Sequence, residues 1–382
     1  MKNFNLEIPK SSAILSLLFV LLISCKDQKN QENHERQIEI QTQELFFEHG
    51  DLFISNNSTF WKEIGKDSLI LFEGRDIKSF ILFSLDSKKT TEFLTFDSDG
   101  PNFIEDRVLD FTRYLDRYLI LGAKYLHIAD SEGKIVKRIQ SDKFENNLAN
   151  PSAYRISGLQ VYNKDTLLIS KKLISADLPK ILDEPKQSIF ALLNLSTDSI
   201  SDLPVYSPKE TLVDDPNQGY YSNLSDHYFI VNNNEIVFNF KFSPTIYKYN
   251  LHTELIQEYG GKTKRFPSKR EAFPADRYTD YAYLLSHLNQ GIYFSQLGYD
   301  PSNALYFRLA KQVINDDMGK SQLSNFLQIF DSNFNLIKEV AINEPVAPIF
   351  SKFTNEIYLV PLLKYQTEED KTRILKLVIT SH

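Results

Sequence analysis

Apolar and polar residues alternate along most of this chain, and the alternation breaks repeatedly at Asp or Asn. The stretch "TIYKYNLHTELIQEY" (Thr245 to Tyr259) alternates, breaks at Asn250 and alternates again. The pattern returns without a gap in "YLHIADSEGKIVKRI" (Tyr125 to Ile139), around Asp130, and in "FLQIFDSNFNLIKEV" (Phe326 to Val340), around Asp331. Alternation puts every other side chain on one face of a sheet. Asp and Asn suit the break, because their side chains bond nearby backbone and tolerate left-handed geometry. Each stretch therefore predicts a β-hairpin. Two looser copies centre on Asp86, in "FILFSLDSKKTTEFL", and on Asn194, in "IFALLNLSTDSISDL".

Further strands precede the hairpins. They read as "SLILF" before the first, "VLDF" and "YLILG" before the second, and "TLLIS" before the third. "HYFIV" and "EIVFNF" precede the fourth, and "GIYFSQL" and "NALYFRL" the fifth. Units of up to four antiparallel strands at this period predict an all-β fold, a β-propeller. At the C-terminus, "EIYLVPLL" and "TRILKLVITSH" give the second and third strands of one more unit, and the chain stops at His382. "RQIEIQTQELFF" (Arg36 to Phe47) supplies the missing strand, so the last blade closes with the N-terminal strand and no edge is left open there. The count is about six blades. Seven is the alternative, because the gaps between Asp130 and Asn194 and between Asn250 and Asp331 have room for a degenerate blade. A pair of β-sandwiches explains the alternation but not the ungapped similarity. The best helix candidate, "ADRYTDYAYLLSHLNQ" (Ala275 to Gln290), falls inside an insertion near residues 260–290.

Composition sharpens this picture. The 382 residues are 42% apolar, with 28 Phe and 20 Tyr against 2 Met and 1 Trp, a bias that favours strands. The net charge of −7 excludes a general nucleic-acid binder, which needs a concentrated basic surface.

The N-terminus predicts a destination. Lys2 and Lys10 precede an apolar run from Ala13 to Ile23 that is short for a membrane span and has the flanks of a secretory signal. It ends in Leu22-Ile23-Ser24-Cys25, which resembles the bacterial lipobox, and Cys25 is the sole cysteine of the chain. A short membrane anchor with an incidental cysteine is the weaker reading. Residues 1–24 are thus expected to be a lipoprotein signal, and 25–35 a polar tether. Residues 36–382 are expected to be a single propeller domain. Acyl chains on Cys25 would hold the protein at a membrane, each buried CH₂ contributing about 0.8 kcal/mol.

A lipobox, a polar tether and a run of "IYKYN"-type hairpins resemble the lipoproteins of unknown function in Gram-negative bacteria that carry six-bladed, TolB-like propellers. "DGPNFI" (Asp99 to Ile104) is similar to the Gly-Pro turn between blades in such proteins. The resemblance implies a place in the cell envelope, at the outer membrane, on either face. It implies no ligand and no catalytic residue.

The residues themselves show no catalytic set. The seven histidines share no metal-binding spacing, and there is neither a Gly-rich phosphate loop nor a GxSxG elbow. No cofactor and no metal are expected. Asp214-Asp215 and Asp316-Asp317 read as solvated loop charges, and "DSDGPN" as a turn rather than a calcium loop. The most suggestive segment is Gly260 to Tyr283, where Arg265, Arg270 and Arg277 interleave with Phe266, Phe273, Tyr278 and Tyr281. An earlier loop adds Tyr220 and Tyr221. Arg and Tyr dominate recognition surfaces, and loops on a rigid scaffold carry binding residues. A solvated loop with its aromatics tucked against the blades is the plainer reading. Two functions follow: a non-catalytic, membrane-anchored binding propeller for a protein or glycan partner, or an envelope hydrolase or lyase with its site in the central channel.

Overall fold

The structure, a computed structural model, describes residues 38–50, 52, 60–73, 79–97, 99–105, 108–140, 154–173, 188–208, 226–266, 277, 280, 282–283, 291–315, 321–352, 354–361 and 370–381. The signal segment, Cys25 and the tether lie outside them. Of the helix expected over 275–290, Ala282 and Tyr283 form a helical turn, and most of the rest is outside the described residues.

The described residues open with β1 (Ile38–Glu48). Blade 1 holds β2 (Phe60–Gly65), β3 (Ser68–Glu73), β4 (Ser79–Ser84) and β5 (Thr90–Thr95). Blade 2 holds β6 (Val108–Tyr114), β7 (Arg117–Gly122), β8 (Tyr125–Ala129) and β9 (Ile135–Gln140). Blade 3 holds β10 (Tyr154–Asn163), β11 (Thr166–Leu173), β12 (Phe190–Asn194) and β13 (Ile200–Asp202). Blade 4 holds β14 (His227–Asn232), β15 (Glu235–Phe240), β16 (Ile246–Asn250) and β17 (Ile256–Tyr259). Blade 5 holds β18 (Gly291–Asp300), β19 (Leu305–Asn315), β20 (Ser321–Phe330) and β21 (Leu336–Ile342). Blade 6 holds β22 (Val346–Phe350), β23 (Glu356–Pro361) and β24 (Lys371–Ser381).

The described strands thus form six four-stranded antiparallel sheets, so the fold is a six-bladed β-propeller and the seven-bladed alternative falls. The sixth sheet runs β1-β24-β23-β22. Strand β1 pairs with β24 from Ile38↔Ser381 to Glu48↔Lys371, so the chain's beginning completes its last blade as the sequence predicts. Because strands alternate in direction, the hairpins joining first to second and third to fourth strands leave one end of the ring. The second-to-third connections and the links between blades leave the other.

The core is divided into boundary layers, one between each pair of neighbouring blades. Phe80 packs on Phe111 between blades 1 and 2, with ring centroids 4.5 Å apart. Leu121 and Leu126 meet Leu159 and Leu167 between blades 2 and 3. Phe190 meets Phe238 at 5.2 Å between blades 3 and 4, and Tyr259 meets Phe334 at 4.8 Å between 4 and 5. Phe307 stacks on Phe350 between 5 and 6, and Phe47 of β1 meets Phe83 between 6 and 1. The aromatic bias of the sequence is spent here, on wide gaps that twisted sheets leave between them.

The repeated hairpins carry two turn types. At Asn194 and Asn250 the side-chain oxygen accepts N–H bonds from the second and third residues on, at 2.9–3.0 Å. The backbone N–H of each bonds the carbonyl five residues on, and Asp198 and Glu254 take positive φ. Asp130 and Asp331 close one residue sooner, on Lys134 and Asn335, with Gly133 and Phe334 at positive φ. A bulge then leaves Val136 and Ile337 unpaired. A shorter turn plus a bulge uses as many residues as the longer turn, which is why the three stretches align without a gap. In blade 1 the turn acceptor is Ser84, whose Oγ receives the Ser87 N–H at 3.2 Å, and not Asp86 two residues later. "DGPNFI" links blades 1 and 2: Gly100 has φ +81, and Asn102 Oδ1 accepts the Ile135 N–H at 3.0 Å.

Candidate functional site

The innermost strands β2, β6, β10, β14, β18 and β22 enclose a channel with a cavity of about 570 Å³. It runs from Asp226 at the start of β14 to Asn233, Pro301 and Lys352 in first-to-second turns. Several of these strands carry bulges, at Ile64, Leu109, Ser157, Tyr162 and Gln296. A bulge re-aims a side chain, and Leu109 and Gln296 both line the cavity. The strands approach closely where bulk is small. A Cβ at Gly298 would collide with the Phe350 ring, so this glycine lets β18 meet β22.

Polar side chains of the channel tie the blades in sequence. Lys62 Nζ donates to Asp110 Oδ1 at 2.6 Å, joining blades 1 and 2. Asp110 Oδ1 also accepts the Phe111 N–H at 2.7 Å, and Oδ2 accepts the Leu159 N–H of blade 3 at 2.9 Å. Gln160 donates to the Phe229 carbonyl at 2.8 Å and accepts the Val231 N–H at 3.0 Å, joining blades 3 and 4. Asn232 donates to the Tyr306 hydroxyl of blade 5 at 3.3 Å. Glu63 accepts the Ser351 hydroxyl and the Lys352 N–H of blade 6, each at 2.7 Å.

The electrostatics follow from enclosure. Burial raises the Glu63 pKa, against the two hydrogen bonds from Lys352 and Ser351. Lys352 meets channel solvent, yet protein surrounds it; that enclosure, helped by Lys62, lowers its pKa to about 8 against the pull of Asp110 and Glu63. Burial, Asp226 and Tyr293 raise the Tyr228 pKa, so its hydroxyl keeps its proton. Ser170 Oγ and His227 Nε2 lie 2.8 Å apart, a pairing that a nucleophile would need. Both residues border the cavity, although Ser170 is only 1% and His227 8% exposed. Among the described residues no three His, Cys, Asp or Glu gather closely enough to hold a metal ion.

The pattern of a family described as "Domain of unknown function (DUF4221)" matches residues 36–341. The chain belongs to the DUF4221 family. A crystal structure of a DUF4221 member from Bacteroides vulgatus is similar, with a TM-score of 0.68 and 15% identity over 91% of this chain and all of that one. A luciferin-regenerating enzyme follows at TM-score 0.46 and 11% identity, covering 88% of this chain and 95% of its own. The Cps50 (Swd1) propeller domain of Myceliophteria thermophila gives 0.41 and 10%, covering 87% and 99%. No curated protein matches the chain.

In this DUF4221 chain the two sequence-predicted binding residues that are described, Arg265 and Arg277, do not line the channel. Arg265 sits over the Phe326 ring, 4.3 Å from its centroid, and its Nε donates to Glu339 Oε1 at 3.2 Å on the outer strand of blade 5. Phe266 is fully buried against Phe294 and Phe326, as the plainer reading of this loop has it. Arg277 stacks on Tyr283 at 4.6 Å. Arg270, Tyr278, Tyr220, Tyr221 and Cys25 are outside the described residues. The loop start is held by Arg308, a fully buried side chain. It donates to Pro244 and Gly261 carbonyls at 2.7 Å and to Gln328 Oε1 at 2.9 Å, and lies over Phe294 and Phe330.

Proposed function

We propose that this chain is a lipid-anchored binding propeller of the Gram-negative cell envelope, similar in plan to TolB-like lipoproteins, that holds part of a protein or glycan partner in its central channel. One observation carries the channel as the site. Its cavity has the size of a small-molecule pocket, and both carboxylates at its heart, Asp110 and Glu63, are already bonded into the fold. Carboxylates so engaged are poorly placed for acid–base chemistry, which favours binding over catalysis. Acylation of Cys25 would keep the protein at the outer membrane. The half-exposed guanidinium of Arg265, with Arg270, Arg277, Tyr278, Tyr220 and Tyr221 on nearby segments of sequence, offers a second contact. The net charge argues against nucleic acid.

The test uses the native tethered protein purified from membranes together with what it retains. Gln296→Trp fills the channel from an exposed position and should abolish retention without changing the melting temperature. Retention by that variant would overturn the channel as the site. Cys25→Ala should move the protein into the soluble fraction, and continued sedimentation with membranes would remove the anchor.

A further inference from the structure

The two inner carboxylates of the channel and the Gln160 amide are engaged by the fold, while several donors are not. Asp110 receives three bonds and Glu63 two, and the amide oxygen of Gln160 receives a backbone N–H. Four lining groups with N–H or O–H have no partner among the described residues: Lys352 Nζ, Tyr228 OH, Trp61 Nε1 and the Gln296 amide. The rest of the wall is largely apolar, with Leu109, Leu159, Phe229, Leu297 and Phe350. The Lys62 charge is answered by Asp110, and among the described residues the Lys352 ammonium has no ion pair.

We propose that the channel takes a carboxylate carried on an apolar body, with Lys352 as its counter-ion and Trp61, Tyr228 and Gln296 as further donors. This rests on the channel being the binding site. Channel solvent can answer these donors until an occupant displaces it, so the occupant that satisfies them is rich in acceptors. A neutral sugar fits badly. Its hydroxyls each bring a donor, and the Asp110 and Glu63 carboxylates, the strongest acceptors that would receive them, are bonded to the fold. A carboxylate brings acceptors and no donor of its own, and its apolar body is buried against the leucines and phenylalanines. Such a group reaches the channel either as a free small acid or as the C-terminal residue of a peptide; the chemistry is shared.

The only tryptophan of the chain, Trp61, lines the cavity, so its fluorescence reports occupancy directly. The full chain in detergent would be titrated with 3-phenylpropionate, standing for a free acid, and with N-acetylphenylalanine, standing for a peptide terminus. 3-Phenylpropionamide, N-acetylphenylalaninamide and galacturonate are the comparisons. Both acids should shift the Trp61 emission, each amide binding about tenfold or more weakly than its acid. The tighter of the two acids identifies the source. Lys352→Met should lose about tenfold in acid affinity and Lys352→Arg should keep it, both melting like the wild type. Affinity should also fall as the pH rises past about 8, where the Lys352 ammonium is lost.

Equal binding of acid and amide or unchanged affinity in Lys352→Met would overturn the carboxylate, and tighter binding of galacturonate, a carboxylate on a polar ring, would overturn the apolar body. Each leaves the channel as a binding site, because emission still reports occupancy. If none of the compounds binds, the carboxylate assignment also falls. If in addition Gln296→Trp retains the native partner, the channel falls with it.

Discussion

Lys62 on the innermost strand of blade 1 and Asp110 on that of blade 2 form an ion pair of 2.6 Å, at the point where blade 3 also bonds Asp110 through the Leu159 N–H. One carboxylate therefore ties three blades, while the lysine makes a single bond. Both side chains are about one-fifth exposed, so solvent screens the pair only in part. Removing the two partners should have unequal effects. Asp110→Ala leaves two backbone N–H groups and an ammonium unanswered, and should cost about 2–4 kcal/mol. Lys62→Met loses one partly screened pair and should cost about 1 kcal/mol. Urea unfolding of the two variants measures the difference; equal losses would mean that the backbone bonds to Asp110 carry no weight.

A second network fixes the start of the insertion. The Arg308 guanidinium spreads over three acceptors, Gln328 of blade 5, the Pro244 carbonyl in the β15–β16 turn of blade 4 and the Gly261 carbonyl in the link that leaves blade 4. Gly261 has φ +59, and a Cβ there would meet the Pro244 carbonyl oxygen. Arg308→Met strands three enclosed acceptors and should cost about 3–5 kcal/mol. Arg308→Lys should rescue little, because a point charge cannot match a planar fork. Gly261→Ala should destabilise as well, by about 1–3 kcal/mol. Thermal melting of the three variants is the measurement. Near-wild-type stability of Arg308→Lys would show that charge alone, not geometry, holds the loop.

The ring closure has a pH dependence of predictable sign. His49, just past β1, contacts the Thr372 hydroxyl at 2.7 Å, and its N–H bonds the Asp370 carbonyl at 3.0 Å. Burial lowers the His49 pKa, and nearby Asp370 only partly offsets this. The unfolded chain, with an ordinary histidine near 6.5, then binds more protons in the window between the two values. Stability from this residue is present above about 6.5 and is lost as the pH falls through the lowered value. His49→Gln should therefore flatten the acid limb of the stability curve below about pH 6.5. An unchanged limb in that variant would assign the acid sensitivity elsewhere.

Much of the ring was legible in sequence, and the reason is physical. The outer strands such as β9 and β21 alternate because one face meets solvent, the third strands are apolar runs buried on both faces, and the turns between them need an acceptor such as Asn250 or Asp331. The closing strand was legible because β24 otherwise ends as an open edge. The innermost strands were the hard part. Those of blades 1, 3 and 6, "FWKEIG", "YRISGLQVYN" and "VAPIF", escaped notice. Bulges at Ile64, Ser157 and Tyr162 break the two-residue period in the first two, and Pro348 interrupts the third. These strands also bring Lys62 and Glu63 into an apolar pattern, and such paired charges inside a strand are the trace that the channel leaves in sequence. Their partners Asp110 and Lys352 are distant in the chain, so only the fold brings them together.

The basic loop offers a separable test of the second contact. Arg265 both stacks on Phe326 and pairs with Glu339, yet its side chain is 51% exposed. Those two contacts are each worth about 0.5–1 kcal/mol, so Arg265→Ala should lower stability by about 1 kcal/mol. Among the contacts described the Arg277 side chain meets only Tyr283, six positions along its own segment, so Arg277→Ala should leave stability unchanged. If the loop meets the partner, Arg277→Ala should weaken partner retention on native membranes at constant melting temperature, and Arg265→Ala should weaken both. Retention that stays intact in the Arg265→Ala, Arg277→Ala double variant, alongside the small stability loss, would make Arg265 a strut for blade 5 and leave the channel as the sole contact.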